Sequence, residues 1–436
     1  MTTPRSTPPV RRREIFGWAM FDFANSSYTT IVVTVAFGPY FTALVAPAGT
    51  GDALWGRAIA ASNLLVMLLS VPLGAVADGA ARKKAFLFAS YLLCVTGTAG
   101  LYFAVPGRVL TALALFVVSN VAFSLGENFT SSFLPELSTP RTIGRISGFG
   151  WGLGYVGGLL SLAAIFPLLA GGFTAENLPR LRLTWLVNAL FFLAAGSATF
   201  VLLRERALPT PGRAWWQHAG DGLHRVRETV GEIRHFKQLS RFLAAFFLFQ
   251  AGLTTMIAFA GIYAVQTVGF AGSDVILLFL VLNVAAAAGA LGFGWLQDRI
   301  GVKLTVQITL VLWVGICAAA YFVRTQGEFW AIAAVAGLGI GSLQSAARSM
   351  VGLFAPVEKS GEFFGFWGLA GKAAYAVGPL LFGEISSRTG SQRLAILSTA
   401  AFFLLGFAVM LTVDTAAGRR AAEEWDLRER ARDEAT

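Results

Sequence analysis

GAVADGAARKK occupies residues 74–84, at the end of a long apolar stretch. A second segment, GWLQDRIGVK at 294–303, follows another apolar stretch 220 residues later and repeats the glycine, the aspartate and the basic residues. The glycine lets two helices approach closely, the aspartate suits a helix end, and the basic residues remain in the aqueous loop. Two copies in corresponding places predict a chain built from two related halves.

The composition around these segments is typical of a membrane protein. The 436 residues are 56% hydrophobic and 13% charged, whereas about a quarter of the residues of soluble proteins are charged. Apolar runs near or above the ~20 residues of a membrane-spanning helix recur along the chain and predict twelve such helices. They are 16–45, 54–77, 84–104, 109–137, 143–170, 182–203, 241–269, 274–297, 303–323, 328–355, 362–387 and 392–414.

The net charge of +10 could indicate a nucleic-acid partner, but its placement indicates membrane topology instead. Of the 34 Lys and Arg residues, 25 fall on the side of the N-terminus and seven on the opposite side. Cytoplasmic loops carry such an excess of basic residues. We therefore expect both termini in the cytoplasm, a lipid bilayer around the chain and no nucleic-acid partner. Short loops and an Arg- and Ala-rich composition indicate the bacterial inner membrane, and we expect a monomer.

The longest non-apolar segment, 204–240, separates the halves and carries apolar residues at helical spacing among basic ones. This pattern predicts an amphipathic helix on the cytoplasmic side. The predicted organisation is an N-terminal cytoplasmic tail at 1–14, a six-helix bundle at 15–203, the linker at 204–240, a second six-helix bundle at 241–414 and a solvated C-terminal cytoplasmic tail at 415–436.

No sequence pattern indicates a cofactor, a metal or a catalytic residue. The glycines of GLGYVG at 152–157 match a dinucleotide-binding fingerprint, but no strand precedes them. Gly150, Gly154 and Gly158 recur at four-residue spacing in the same segment, which predicts a close helix contact instead.

Together the two loop segments resemble the pattern G-x-x-x-D-R-x-G-R-K-K of the major facilitator superfamily. The matching residues are Gly74, Asp78, Arg82, Lys83 and Lys84 in the first copy and Gly294, Asp298, Arg299, Gly301 and Lys303 in the second. The first copy departs from the pattern at Gly79 and Ala81, and the second at Val302. The resemblance implies an all-α membrane fold of two pseudo-symmetric six-helix bundles, whose motif loops lock the halves together on the cytoplasmic side.

Four further segments resemble the family, within this superfamily, of the autophagy-linked fungal vacuolar amino-acid effluxer and its bacterial relatives. They are GWAMFDFANSSY (17–28), SGFGWGLGYVGG (147–158), QSAARS (344–349) and EFFGFWGLAGKAAYAVGPLLFG (362–383). The resemblance implies a transporter with an amino-acid preference. A sugar, a nucleoside or a drug-like cation remains an alternative cargo.

Polar side chains follow one helical face in four of the apolar segments. They are Asp22, Asn25, Ser26 and Thr29 in the first, Asn120, Ser124, Glu127, Asn128 and Ser131 in the fourth, Gln250 and Thr254 in the seventh, and Gln344, Ser345 and Arg348 in the tenth. Ionisable groups at membrane depth are costly and usually face a cavity or a partner. Helices 1, 4, 7 and 10 line the central cavity in the superfamily, so the resemblance implies one shared cavity.

Asp22, Glu127 and Arg348 are predicted at one depth. Asp22 lies about seven residues after the cytoplasmic start of its segment, and Glu127 and Arg348 each lie eight residues before a proline, Pro135 and Pro356. Arg348 suits a carboxylate of the cargo, or Asp22 or Glu127 in a closed gate. Burial disfavours a charged carboxylate, so Asp22 and Glu127 are the candidates for carrying a coupling proton. Asp22 could instead brace the fold. Lys372 is either a cargo or counter-ion contact or a lysine that snorkels to the cytoplasm.

The predicted function is secondary active transport of a small solute, such as an amino acid or another small carboxylate or zwitterion, by proton-coupled alternating access. A transport-fold sensor and a membrane-embedded enzyme are the alternatives. An enzyme is not expected, because neither the nucleophile-elbow nor the zinc-protease motif occurs, and the absence of a phosphate loop argues against a primary pump.

Overall fold

The computed structural model describes residues 9–47, 50–206, 236–270 and 272–435, and all regular elements in these ranges are helical. The long helices are α1 (Arg12–Tyr28), α2 (Gly51–Gly79), α3 (Lys83–Gly100), α4 (Val109–Ser131), α5 (Ile143–Leu169), α6 (Leu178–Leu202), α7 (Lys237–Tyr263), α8 (Gly272–Ile300), α9 (Val302–Phe322), α10 (Gln326–Phe354), α11 (Ser360–Thr389), α12 (Gln392–Leu411) and α13 (Thr415–Ala435).

Within the described ranges, ten of these helices are long and apolar enough to cross a membrane. The helix that begins with α1 continues to Val35 and meets a second helical piece, Phe37–Val45, at a bend of 40°, and this bent pair is an eleventh candidate. α11 is not among them, because Lys372 and several glycines lower its apolar content. The predicted all-helical membrane architecture is confirmed, while the count of twelve spans stays a prediction.

One predicted helix boundary differs from the structure at the start of the second bundle. α7 begins at Lys237 rather than at residue 241, since its polar first turn holds the end of α12. Gln238 Oε1 accepts a hydrogen bond from the Asp414 N–H at 2.8 Å, and Arg241 Nη1 donates to the Thr412 carbonyl at 3.1 Å. The amphipathic helix predicted within the linker falls on residues 207–235, which lie outside the described ranges.

The C-terminal segment is not the solvated tail that its charge predicted, because α13 packs one face against the bundle. Ala422 is 5% exposed. The Trp425 ring lies 5.7 Å from the Phe236 ring and 3.9 Å from Lys359 Nζ, measured to the ring centroids. Asp414 Oδ1 begins the helix by accepting two backbone N–H groups. Small residues at helical spacing give α13 an apolar face. The many charged residues between them make this face hard to recognise in the sequence.

The start of α1, the first motif loop and the segments that follow α4 and α6 lie together at one end of the bundle. Glu14 pairs with Arg206, Lys83 pairs with Glu136, and Lys84 Nζ donates to the Leu203 carbonyl. We call the end at which α1 begins the basic end, since it also holds the two motif loops. Contacts between the first six helices and α7–α12 are made chiefly by α2 with α11 and by α5 with α8. Both contacts depend on glycines and both end in an aspartate.

At the contact of α2 with α11, backbone meets backbone. A Cβ atom on Gly74 would overlap the Gly361 carbonyl and lie 3.0 Å from the Glu362 nitrogen. One turn later, the Asp78 carboxylate accepts hydrogen bonds from the Gly361 and Glu362 N–H groups at 3.0 and 2.9 Å. A carboxylate at a helix N-terminus satisfies orphan donors and complements the helix dipole. Asp78 therefore caps a helix of the other half.

The contact of α5 with α8 repeats this arrangement with the halves exchanged. A Cβ atom on Gly144 would lie 2.6 Å from the Gly294 carbonyl oxygen. Asp298 accepts hydrogen bonds from the Gly144 and Arg145 N–H groups at 2.8 and 3.2 Å, and so caps α5. The glycine and aspartate shared by the two loop segments thus make the same contact twice.

The basic residues of the two motif copies differ in their environment. Lys83 is buried and donates to Glu136 Oε1 at 2.7 Å and to Ser360 Oγ at 2.5 Å, and its Nζ lies 3.5 Å from Asp78 Oδ1. Arg82 is exposed. In the second copy, the exposed Arg299 lies over the Trp295 ring. The first copy therefore carries the buried ionic cluster between the halves.

The glycine of the motif reflects a backbone requirement. Gly301 has φ +90°, and Ala81, which stands at the corresponding place in the first copy, has φ +48°. Residues with a Cβ rarely adopt positive φ. Ala81 thus holds a conformation that the motif normally assigns to glycine.

Candidate functional site

The glycine face of α5 brings α1 into close contact with it. Cβ atoms at Gly150, Gly154 and Gly158 would meet, in turn, Asp22 Oδ2, Ser26 Oγ and Thr30 Oγ1. The polar face of α1 therefore lies against the small face of α5, as the four-residue spacing predicts. This contact leaves the Asp22 side chain at the boundary with α10 of the other half.

Asp22 and Arg348 form an ion pair across that boundary. Arg348 Nη1 donates to Asp22 Oδ2 at 2.7 Å, and the side chains are 1% (Arg348) and 12% (Asp22) exposed. Arg348 Nε donates to Ser147 Oγ at 3.2 Å, and Nη2 donates to the Ser147 carbonyl at 2.9 Å. Ser147 Oγ in turn donates to the Ser345 carbonyl. The guanidinium is therefore bound on each of its three nitrogens.

Two tryptophans enclose this guanidinium. Arg348 Cζ lies 4.7 Å from the centroid of the Trp18 ring and 5.3 Å from that of Trp151, distances at which cation–π attraction operates. Trp18 is held in place because its Nε1–H donates to the Thr130 carbonyl at 2.7 Å. The ion pair is thus shielded from water, which strengthens its electrostatic attraction.

Glu127 and Lys372 form a second pair of opposite charges near the first. Both side chains are half-buried, and Glu127 interacts electrostatically with Lys372, Asp22 and Arg348. Among the described residues, neither side chain has a hydrogen bond or an ion pair within 4.0 Å. α4 and α11 touch beside them, since a Cβ atom on Gly368 would lie 2.5 Å from Asn128 Nδ2.

Two other predicted site residues make contacts between helices. Asn128 is 5% exposed and its Nδ2 donates to Ser70 Oγ on α2 at 3.0 Å. Gln344 Oε1 accepts a hydrogen bond from the Tyr155 hydroxyl at 2.7 Å, which joins α10 to α5. In this conformation both amides are engaged with other side chains.

The remaining predicted residues differ in exposure. Asn25 is 6% exposed, and its Oδ1 has no hydrogen-bond partner among the described residues. Thr29 is exposed at the start of the π-helical turn after α1, and Gln250 is half-buried on α7. In the described ranges, no group of three His, Cys, Asp or Glu side chains could hold a metal ion.

Sequence reasoning missed the residues that enclose Arg348. Ser147, Trp18 and Trp151 contact the guanidinium, and Gly150 leaves the space that it fills. Periodicity identifies which face of a helix is polar, but it does not name the partner of that face. The segments 17–28 and 147–158, which carry the family resemblance, contain all four residues and were the available signal.

A family model described as "Vacuole effluxer Atg22 like" matches residues 53–423. The uncharacterized MFS-type transporter YxiO of Bacillus subtilis (strain 168) is 28% identical over 407 residues, which cover 91% of this chain and 94% of that protein. Autophagy-related protein 22-1 of Aspergillus niger is 25% identical over 324 residues, which cover 69% of this chain and 52% of that protein. The match thus spans about half the length of the fungal relative.

Solved structures share the fold at low sequence identity. The human organic anion transporter MFSD10 (TETRAN) superposes with a TM-score of 0.72 at 16% identity, covering 92% of this chain and 100% of that one. The major facilitator superfamily transporter FucP, in its outward conformation, gives 0.71 at 13% identity, with 92% and 98% covered. The chain therefore has the fold of major facilitator superfamily transporters and belongs to the family of Atg22-like vacuole effluxers.

Proposed function

We propose that this protein is a secondary active transporter that moves a small solute across a bacterial inner membrane by alternating access. Twelve spans in two six-helix bundles, 15–203 and 241–414, would place both termini and the basic end in the cytoplasm, in keeping with the excess of Lys and Arg there. The family, the fold and the ten membrane-length helices support this proposal. The unit of function would be a monomer.

The observation that carries the proposal is the one-sided contact between the halves. Among the described residues, the hydrogen bonds that join the first six helices to the last six lie in the half of the bundle nearer the basic end. In the first six helices and their loops, these bonds are made by Asp22, Asp78, Lys83, Ile143, Gly144, Arg145, Ser147 and Tyr155. In the last six they are made by Asp298, Gln344, Ser345, Arg348, Ser349, Val357, Ser360, Gly361 and Glu362. A transporter closed at one end is one of the two states that alternating access requires.

The Asp22–Arg348 pair would be the innermost contact of this gate. Removing one partner of a buried ion pair costs about 3–5 kcal/mol, because the other charge is left uncompensated. A proton on Asp22 would cancel the charge that Arg348 binds and would weaken the closed gate. Glu127, which lies within electrostatic range of both residues, is the second candidate for a coupling proton.

An amino acid or another small carboxylate or zwitterion is the proposed cargo. The half-buried charges of Glu127 and Lys372 offer one partner of each sign to such a molecule. The name of the matching family, which describes effluxers, supports a transported solute without specifying it.

The test is counterflow in liposomes containing the purified protein, loaded with unlabelled L-amino acids and supplied with labelled ones outside. We expect accumulation of at least one amino acid above protein-free liposomes, and faster net uptake when a pH gradient is imposed. Asp22→Asn should keep counterflow and lose the response to the pH gradient. Accumulation equal to that of protein-free liposomes for all twenty amino acids would refute the proposed cargo, and an unchanged pH response in Asp22→Asn would remove its proton role.

A further inference from the structure

Each of the three nitrogens of the Arg348 guanidinium already donates a hydrogen bond in this conformation. Its partners are Asp22 and Ser147, its Cζ lies 4.7 and 5.3 Å from the centroids of two tryptophan rings, and 1% of its side chain is exposed. A cargo that enters from the opposite end would have to break these contacts before it could reach the guanidinium. Arg348 therefore serves the gate, and the charges that first meet the cargo must be others.

Glu127 and Lys372 have the properties that Arg348 lacks. Both side chains are half-buried, and their helices α4 and α11 pack together at Asn128 and Gly368. The two charges interact electrostatically but are farther apart than the 4.0 Å of an ion pair. Unpaired charges at membrane depth are costly, so a small ligand that bears both signs would be stabilised between them.

The two charges also belong to different halves. Glu127 lies on α4 of the first six helices, and Lys372 lies on α11 of the last six. A molecule held by both side chains would connect the halves directly. Binding would then act on the movement that alternating access requires.

We infer that Glu127 binds the ammonium group and Lys372 the carboxylate of a zwitterionic cargo, and that this pair determines the specificity of the site. The inference rests on the proposed transport function and adds to it the residues that recognise the cargo. The charges of Asp22 and Arg348 cancel, as do those of Glu127 and Lys372. A zwitterion keeps the cavity neutral, whereas a simple anion or amine adds a net charge at membrane depth.

The inference is tested by the selectivity of binding, measured by thermal stabilisation of purified protein. Each of the twenty L-amino acids is compared with its des-amino carboxylic acid and its decarboxylated amine. The wild type should prefer at least one amino acid over both analogues by tenfold or more. Glu127→Gln should lose the preference over the carboxylic acid, and Lys372→Met the preference over the amine.

Matched controls lie on the same helix. Glu384 and Arg388 form an exposed pair near the other end of α11, so Glu384→Gln and Arg388→Met remove the same charges away from the cavity. Both controls should keep the selectivity of the wild type. Should either single variant fail to fold, the exchanged double variant Glu127→Lys/Lys372→Glu restores one charge of each sign and should again prefer the zwitterion.

The outcomes separate this inference from the proposed function. Selective binding that depends on Glu127 and Lys372, without flux in liposomes, would sustain the inference about recognition and refute transport. Flux with unchanged selectivity in both single variants would sustain transport and overturn the inference. A wild type stabilised by no amino acid would overturn it as well.

Discussion

Replacing Gly150 by alanine should open the contact between Asp22 and Arg348. The added methyl group would overlap Asp22 Oδ2 and lie 2.6 Å from Arg348 Nη2 and 2.8 Å from Trp18 Cζ3. Non-bonded heavy atoms rest about 3.5 Å apart. The guanidinium must therefore move by about 1 Å, which takes the 2.7 Å bond from Nη1 to Asp22 beyond the hydrogen-bond limit of about 3.2 Å.

The expected free-energy change of Gly150→Ala has two parts. Overpacking of α1 on α5 costs about 1–3 kcal/mol, and it persists when the basic end opens because both helices belong to the same half. Loss of the ion pair costs up to about 3–5 kcal/mol, and it acts only on the closed state because Arg348 lies in the other half. A bias of about 3 kcal/mol shifts the ratio of closed to open molecules roughly 100-fold.

The assay is the distance between spin labels across the basic end. Arg82 and Val357 are exposed and lie in different halves, so Arg82→Cys and Val357→Cys are suitable positions once the two buried cysteines, Cys94 and Cys317, are replaced by alanine. The parent should show one short distance. Gly150→Ala should add a longer one that dominates.

A matched control lies two turns along the same glycine face. Gly158→Ala would meet the Thr30 hydroxyl at 2.8 Å and no other atom nearer than 3.8 Å, so it tests overpacking without touching the ion pair. It should keep the short distance. If Gly150→Ala also kept the short distance, the ion pair would not hold the basic end closed, and the reasoning would be wrong.

Three further predictions concern stability. Ala81→Gly should raise the free energy of unfolding by about 0.5–1 kcal/mol, because glycine has no Cβ atom to strain the backbone at φ +48°. Gly301→Ala, at φ +90°, should lower it. Thermal melting in detergent measures both changes, and equal effects of the two variants would contradict the backbone argument. Burial raises the pKa of Glu205 to about 7, although the Lys84 N–H donates a hydrogen bond to its carboxylate. Between about pH 4.5 and 7 the folded protein thus keeps a proton that the unfolded chain loses, so the free energy of unfolding should fall as pH rises through this range. Glu205→Gln should flatten this slope in melting temperatures taken across that range. Trp425→Ala should cost about 1–3 kcal/mol and increase hydrogen exchange in α13, while unchanged exchange would show that the ring does not hold the helix.

The sequence predicted the parts of the structure that depend on repetition. The matched glycines and aspartates of the two loop segments indicated related halves, and Gly74 with Asp78 makes the same contact between halves as Gly294 with Asp298. Helical periodicity likewise placed Asp22 on the polar face of α1, and its carboxylate pairs with Arg348.

Other features depend on contacts that periodicity cannot identify. Asn128 shares the polar face of Glu127, yet Ser70 binds its amide from a neighbouring helix. The charges of the C-terminal segment indicated solvent, whereas α13 packs through the small residues between them. Ala81 departs from the motif, and only the backbone geometry shows that its conformation is the one glycine adopts elsewhere.

The paired glycine contacts constrain how the basic end can open. At Gly74 with Gly361 and at Gly144 with Gly294, main chain touches main chain, so no side-chain rotation can loosen either contact. In the proposed transport cycle the halves would therefore separate as rigid bodies. The two aspartate caps lie on different helix pairs. Release of only one cap would therefore make the halves rotate about the contact that remains. Release of both caps together would separate the halves evenly, whereas release of one cap would tilt one half against the other.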